Sequence, residues 1–138
     1  MSVPKSELTR EAMEQAIAIS PFTSWVGTRL LDFAPGRVRI STAIRKEMTQ
    51  HHGFAHGAIV GYMADTVCAW AAASVVGDVV TAEYKLNLLA PAIGEELTAV
   101  GEVIKAGGRQ VVTRADVFAV KDGAEKIVAT ALATIARV

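Results

Sequence analysis

The spacing of apolar positions changes period three times along this chain. From Ser6 to Ile19 they recur at helical spacing, with Leu8, Ala12, Ala16 and Ile19 on one stripe. Ser6 is placed to cap that helix, and Glu7 and Glu11 lie near its positive end. Ser20-Pro21 ends it, because the residue before a proline avoids the α region. Trp25 to Phe33 then reads as a strand and Ala34-Pro35-Gly36 as a turn. Arg37 to Ile44 alternates Val38, Ile40, Thr42 and Ile44 against Arg39, Ser41 and Ala43, closing a hairpin.

Residues 45–56 lead into a long apolar segment rich in small residues, Gly57 to Val76, which predicts a long buried helix stopped by Gly77-Asp78. Strand patterns return at Val79 to Leu88, Leu97 to Lys105, Arg109 to Val120 and Lys126 to Ala136. In the first of these, Thr81, Glu83, Lys85 and Asn87 fall on one face, opposite Val80, Ala82, Tyr84, Leu86 and Leu88. A helix, two strands, a long buried helix and four antiparallel strands make an α+β fold. One domain spans residues 1–138, with 1–21 as its lead-in. Several strands are apolar or small on both faces, so the sheet is expected to be covered by the helix on one side and a partner subunit on the other.

Composition sharpens this. A chain of 138 residues supports one core, and 51% hydrophobic against 20% charged residues is rich for a small monomer, which points to a homo-oligomer. Net charge is zero with dispersed basic residues, which argues against nucleic acid as a partner. The lone Cys68 excludes an intrachain disulfide and reads as a small buried hydrophobe. The opening MSVPKSELTREAMEQ lacks the apolar core of a signal peptide, so a cytoplasmic address is expected. The run from Gly57 approaches membrane-spanning length. However, Asp65 near its centre, alanines in place of leucines and the lack of a flanking basic cluster favour a buried helix and no membrane partner.

The candidate chemistry lies in Gln50 to Trp70, QHHGFAHGAIVGYMADTVCAW. From Gly57 to Val76 the only ionisable groups are Tyr62, Asp65 and Cys68. A carboxylate inside an apolar helix is costly unless paired, hydrogen-bonded or protonated, which makes Asp65 the leading functional residue, with a structural ion pair as the rival reading. A helix starting at Gly57 offers unpaired N–H groups and a positive dipole end to a carbonyl oxygen. Eight residues put Asp65 about 12 Å further along the axis, too far for both to grip one reacting carbon. A two-fold dimer with antiparallel helices would pair Asp65 of one chain with Gly57 of the other. His51, His52 and His56 lack accompanying Cys or Glu residues and are interrupted by Gly53, so they read as loop and capping histidines rather than a metal set.

Taken together, Gln50, Gly53, His56-Gly57-Ala58, Ala64-Asp65, the run Thr81 to Asn87 (TAEYKLN), Ala90-Pro91-Ala92, Gly94 and Gly108-Arg109 resemble the hotdog-fold acyl-CoA thioesterases. The likeness is to the PaaI-like, phenylacetate-pathway branch and covers residues 22–138. It implies an antiparallel sheet wrapped around the central helix, and a dimer or dimer-of-dimers tetramer with active sites across the dimer interface. The implied substrate is a small aryl- or medium-chain acyl-CoA, with no cofactor beyond the coenzyme A it carries. By the same resemblance Gly57 N–H polarises the thioester carbonyl and Gln50 helps position it. Asp65 activates water or attacks directly to form an anhydride, Thr81 orients the water, and His56 shapes the helix start.

Ala58, Tyr62 and Ala82 are implied to contact substrate, and Asn87 and Arg109 to lie along the coenzyme A path. Thr81 has a plain strand residue as its alternative, and Arg109 a solvated strand start. Tyr62, Met63, Trp25 and Phe54 are candidates for the acyl pocket. The chain departs from the family pattern at Ala58, in place of a second glycine, and at Gln50, where some members have Asn; either change narrows the acyl pocket. Two rival functions remain. One is an acyl-thioester dehydratase or hydratase recruiting His56 with a carboxylate. The other is a non-catalytic acyl-CoA-binding module, which binds without turnover.

Overall fold

A computed structural model describes residues 8–138. In chain order the elements are α1 (Arg10–Ile19), α2 (Pro21–Val26), β1 (Arg29–Ala34), β2 (Arg37–Ala43), a 3-10 turn (Lys46–Met48), α3 (Gly57–Val76), β3 (Val79–Leu88), β4 (Glu96–Ala106), β5 (Gln110–Lys121) and β6 (Ala124–Arg137). The strands form one antiparallel sheet in the order β1-β2-β4-β5-β6-β3. It wraps around α3, which is the expected α+β hotdog arrangement.

Small residues let α3 lie close to the sheet. A Cβ on Gly101 of β4 would sit 2.4 Å from the Val67 carbonyl oxygen, so only glycine admits the helix backbone there. Val60, Met63, Ala64, Val67, Cys68 and Ala72 of α3 are buried against Val38, Ile40, Leu97, Val117 and Ile135 of the strands. One stripe of the helix stays open, running through Ala58, Tyr62, Asp65, Thr66, Ala69 and Trp70.

The sheet's other face, expected to lie under a partner, mixes charged and apolar side chains. Glu102 of β4 pairs there with Arg37 of β2 at 3.2 Å and with Arg114 of β5 at 3.7 Å. Leu132 of β6, opposite Arg114, is exposed on that face, and a further apolar surface lies beside the open stripe of α3, where Trp25, Phe22, Leu88 and Tyr84 are all exposed.

Three local expectations are corrected. The strand placed at Trp25 to Phe33 is helix α2 up to Val26, and β1 starts only at Arg29. Pro21 is pre-shaped for a first helical position, and Gly27 at φ +83 ends the turn by donating to the carbonyls of Thr23 and Ser24. The first helix begins at Arg10, capped by Thr9, whose hydroxyl accepts from Ala12 N–H at 3.1 Å; Ser6 and Glu7 lie outside the described residues. Its packed side is Met13 and Ile17, and Ile19 is exposed.

The third correction is in β3, whose alternation breaks at a bulge between Thr81 and Glu83. Before the bulge Thr81 faces α3. After it, Tyr84 and Leu86 approach Gly61, and Leu88 approaches Gly57. Thr81 therefore does not share a face with Glu83, Lys85 and Asn87, and Val80 does not share one with Tyr84 and Leu86.

Candidate active site

Asp65 sits half-buried on the open stripe of α3. Gly77 ends the helix and the chain returns along it as β3, which brings Thr81 beside Asp65; Thr81 Oγ1 donates to Asp65 Oδ1 at 2.6 Å. Among the described residues no Lys, Arg or His forms an ion pair with Asp65. The carboxylate is held by one hydroxyl at Oδ1, and its second oxygen has no partner among the described residues.

Cys68, one turn further, is a different case. Burial pushes its thiol up to about 11, the neighbouring Thr113 hydroxyl opposes this, and the nearby Asp65 carboxylate adds to the rise. It stays a protonated core residue.

At the start of α3, His56 is the N-cap. Its Nδ1 accepts from Ala58 N–H at 2.9 Å, which leaves the proton of the neutral ring on Nε2. The His56 carbonyl takes Ile59 N–H at 3.0 Å and Val60 N–H at 3.2 Å. Of the first four N–H groups of the helix, Gly57 N–H alone has no acceptor among the described residues. The cap thus satisfies its neighbours and leaves one donor at the positive end of the dipole.

Gln50 supplies a second donor. Its Oε1 accepts from His52 N–H at 2.6 Å and Phe54 N–H at 3.3 Å, which ties the loop and leaves the amide NH2 for other partners. Gln50 and Gly57 open onto the same cavity of about 380 Å³, whose far wall is Leu88 to Ala92. That wall is a part of the site that strand patterning missed; Ala90-Pro91-Ala92 entered only among the residues that carry the family resemblance.

The remaining candidates are dispersed. Ala58, Tyr62 and His56 line a separate apolar cavity of about 310 Å³ with Phe22, Trp25 and Met48. Tyr62 Oη is tied to Thr28 Oγ1 at 2.8 Å, and Thr28 in turn to Thr42 at 3.1 Å. Met63 is fully buried and lines no pocket, while Phe54 belongs to the Gly57 cavity. Ala82 occupies the β3 bulge. Asn87 is exposed opposite Thr130 on the face turned from α3, and Arg109 is exposed at the β4–β5 hairpin. Neither reaches Asp65 or Gly57 of its own chain. The His51 and His52 rings lie with centroids 4.0 Å apart, tilted by 42°, and His56 is spent as a cap. Asp65 and Gly57 themselves remain eight residues, about 12 Å, apart along one helix.

Comparison with known proteins agrees with this fold. A family model, the thioesterase superfamily, matches residues 52–126. The crystal structure of a thioesterase family protein from Silicibacter pomeroyi is 36% identical, covers 89% of this chain and 93% of its own, and superposes with a TM-score of 0.86. The zebrafish thioesterase superfamily member 2 shares 24% identity over 93% of this chain and 97% of its own, at a TM-score of 0.79. The PaaI protein of the Escherichia coli phenylacetic acid degradation operon shares 19% identity over 93% and 91%, at 0.82. The last two likenesses are of fold. No match is found among curated proteins by sequence. With the family match spanning residues 52–126 and a 36% identical relative covering nearly the whole fold, the chain belongs to the thioesterase superfamily.

Proposed function

We propose that this chain hydrolyses acyl-CoA thioesters carrying small aryl or medium-chain acyl groups, as a PaaI-like member of the superfamily working as a dimer or a dimer of dimers. The observation that carries the reading is the division of labour along α3. A carboxylate held by Thr81 lies at one point, and an unpaired N–H with a free amide lies about 12 Å away. Two antiparallel copies of α3, packed through the stripe of Ala58, Asp65 and Ala69, unite the two halves into a complete site.

In that site the thioester carbonyl oxygen accepts from Gly57 N–H of one subunit and from the Gln50 amide beside it, which stabilises the oxyanion as it forms. Asp65 of the other subunit takes a proton from water, and the water oxygen bonds to the carbonyl carbon. The C–S bond then breaks, the carboxylic acid is released, and the coenzyme A thiolate recovers the proton. Thr81 acts on the carboxylate, orienting Asp65 so that its other oxygen faces the water. No metal or redox cofactor enters this scheme. The dehydratase alternative needs a free His56 next to a carboxylate, and the capping bond from Ala58 N–H to Nδ1 disfavours it.

The test is free-thiol release from a panel of aryl- and alkanoyl-CoA esters by wild type and Asp65→Asn. The proposal expects turnover that falls by orders of magnitude in the variant, with fold and assembly intact. Equal rates would remove Asp65 from the mechanism. Ester binding without turnover by wild type would make the chain an acyl-thioester-binding module.

A further inference from the structure

The mechanism leaves a partly open cavity unused. A cavity of about 380 Å³ lies between α1 and α3, walled by Ala12 and Met13 on one side and by Ala69, Trp70, Ala73 and Val79 on the other. Alanines create it, because the facing positions of both helices carry methyl groups where larger side chains would close the gap.

Its position gives it a role. Ala69 lies one helical turn beyond Asp65 on the same open stripe, about 6 Å along the axis. Val79 precedes Thr81 by two residues on the α3-facing side of β3, about 7 Å away. The wall of the cavity therefore begins next to both partners of the Asp65–Thr81 hydrogen bond. The Gly57 cavity belongs to the other end of the helix, where the carbonyl oxygen is held.

We propose that the cavity between α1 and α3 receives the acyl group of the thioester that Asp65 attacks, and that this acyl group is neutral and apolar. This rests on the hydrolase reading above. An apolar cavity of about 150 Å³ takes one benzene ring, so this one holds an aryl group or a medium-length chain. Among the described residues no lysine or arginine lines it, Asp78 does, and the Ser20 and Thr23 hydroxyls bond each other at 3.2 Å. An acyl group ending in a carboxylate would enter without a counter-charge and beside a like one.

The experiment compares kcat/KM for acetyl-, hexanoyl-, benzoyl- and succinyl-CoA in wild type, Ala12→Phe and Met13→Ala. Wild type is expected to favour the hexanoyl and benzoyl esters over acetyl, and to turn over succinyl slowly. Ala12→Phe fills the cavity and lowers the hexanoyl-to-acetyl ratio by about tenfold or more. Met13→Ala enlarges it and moves the preference towards longer chains, which keeps the test informative if the filled variant fails to fold. Turnover with unchanged ratios in both variants, or a wild-type rate indifferent to chain length, would overturn the assignment and leave the hydrolase reading standing. Absence of turnover on every ester would remove the hydrolase reading, and this inference with it.

Discussion

Thr81 donates its hydroxyl hydrogen to Asp65 Oδ1 across 2.6 Å, from the strand that the chain enters as soon as the helix carrying Asp65 ends. The bond points the carboxylate along the open stripe of α3 instead of leaving it to sample several rotamers. Thr81→Val keeps the shape and removes the donor, and is expected to lower kcat about tenfold to a hundredfold through loss of orientation. Thr81→Ser should keep most of the rate. Steady-state kinetics of the two variants check this; equal rates in Thr81→Val and wild type would make Thr81 an ordinary strand residue.

How much of this was legible beforehand depended on how local the cause was. The bounds of α3 and β3 coincide with the sequence reading, because a long apolar segment closed by Gly77 and an alternating sequence after it are signals of adjacent residues. Asp65, as a carboxylate within that run, was visible for the same reason. The bulge at Ala82 was not, since an extra residue leaves no mark on a pattern of period two until the pairing with β6 is known. Helix α2 was hidden by Trp25 and Val26, which read as strand residues, whereas Pro21 and Gly27 settle the backbone. The cavity under α1 arises from alanines distant in sequence, and no single stretch announces it.

Gly57→Pro isolates the unpaired N–H. Proline suits the first position of a helix, and His56 at φ −61, ψ 141 already has the extended backbone that a following proline requires. The substitution removes the donor while leaving α3 formed. Its expected effect is a loss of about 10²–10³ in kcat, the cost of one oxyanion donor. Gly57→Ala is the control. It keeps the N–H, and its Cβ would meet Leu88 Cδ1 at an ordinary 3.4 Å. Circular dichroism alongside the kinetics separates loss of the donor from loss of the helix.

Gly101→Ala tests the close approach of helix and sheet. The added methyl would lie 2.4 Å from the Val67 carbonyl oxygen, so α3 or β4 must move. A loss of about 1–3 kcal/mol in unfolding free energy is expected from overpacking, read by denaturant titration. A neutral result would mean that the helix can shift without cost.

Cys68 predicts a pH dependence of stability. Its thiol ionises near 9.0 when unfolded and near 11 when buried, so between those values the unfolded chain binds fewer protons than the folded one. Stability is therefore constant with respect to this group below pH 9 and falls as pH rises through the window, by about 2–3 kcal/mol in all. Cys68→Ala should lack that slope, whatever its baseline. Parallel pH–stability curves for the two proteins would contradict the assignment.

The central claim is that each active site takes Asp65 from one subunit and Gly57 from another, and mixed oligomers test it most directly. Asp65→Asn and Gly57→Pro are each expected to be inactive alone. Co-expressed, they form mixed dimers in which one of the two sites regains both an intact Asp65 and an intact Gly57. The account predicts recovery to about a quarter of the wild-type rate with random pairing of the two chains. Mixed dimers isolated with two different tags that show no more activity than either parent would contradict it.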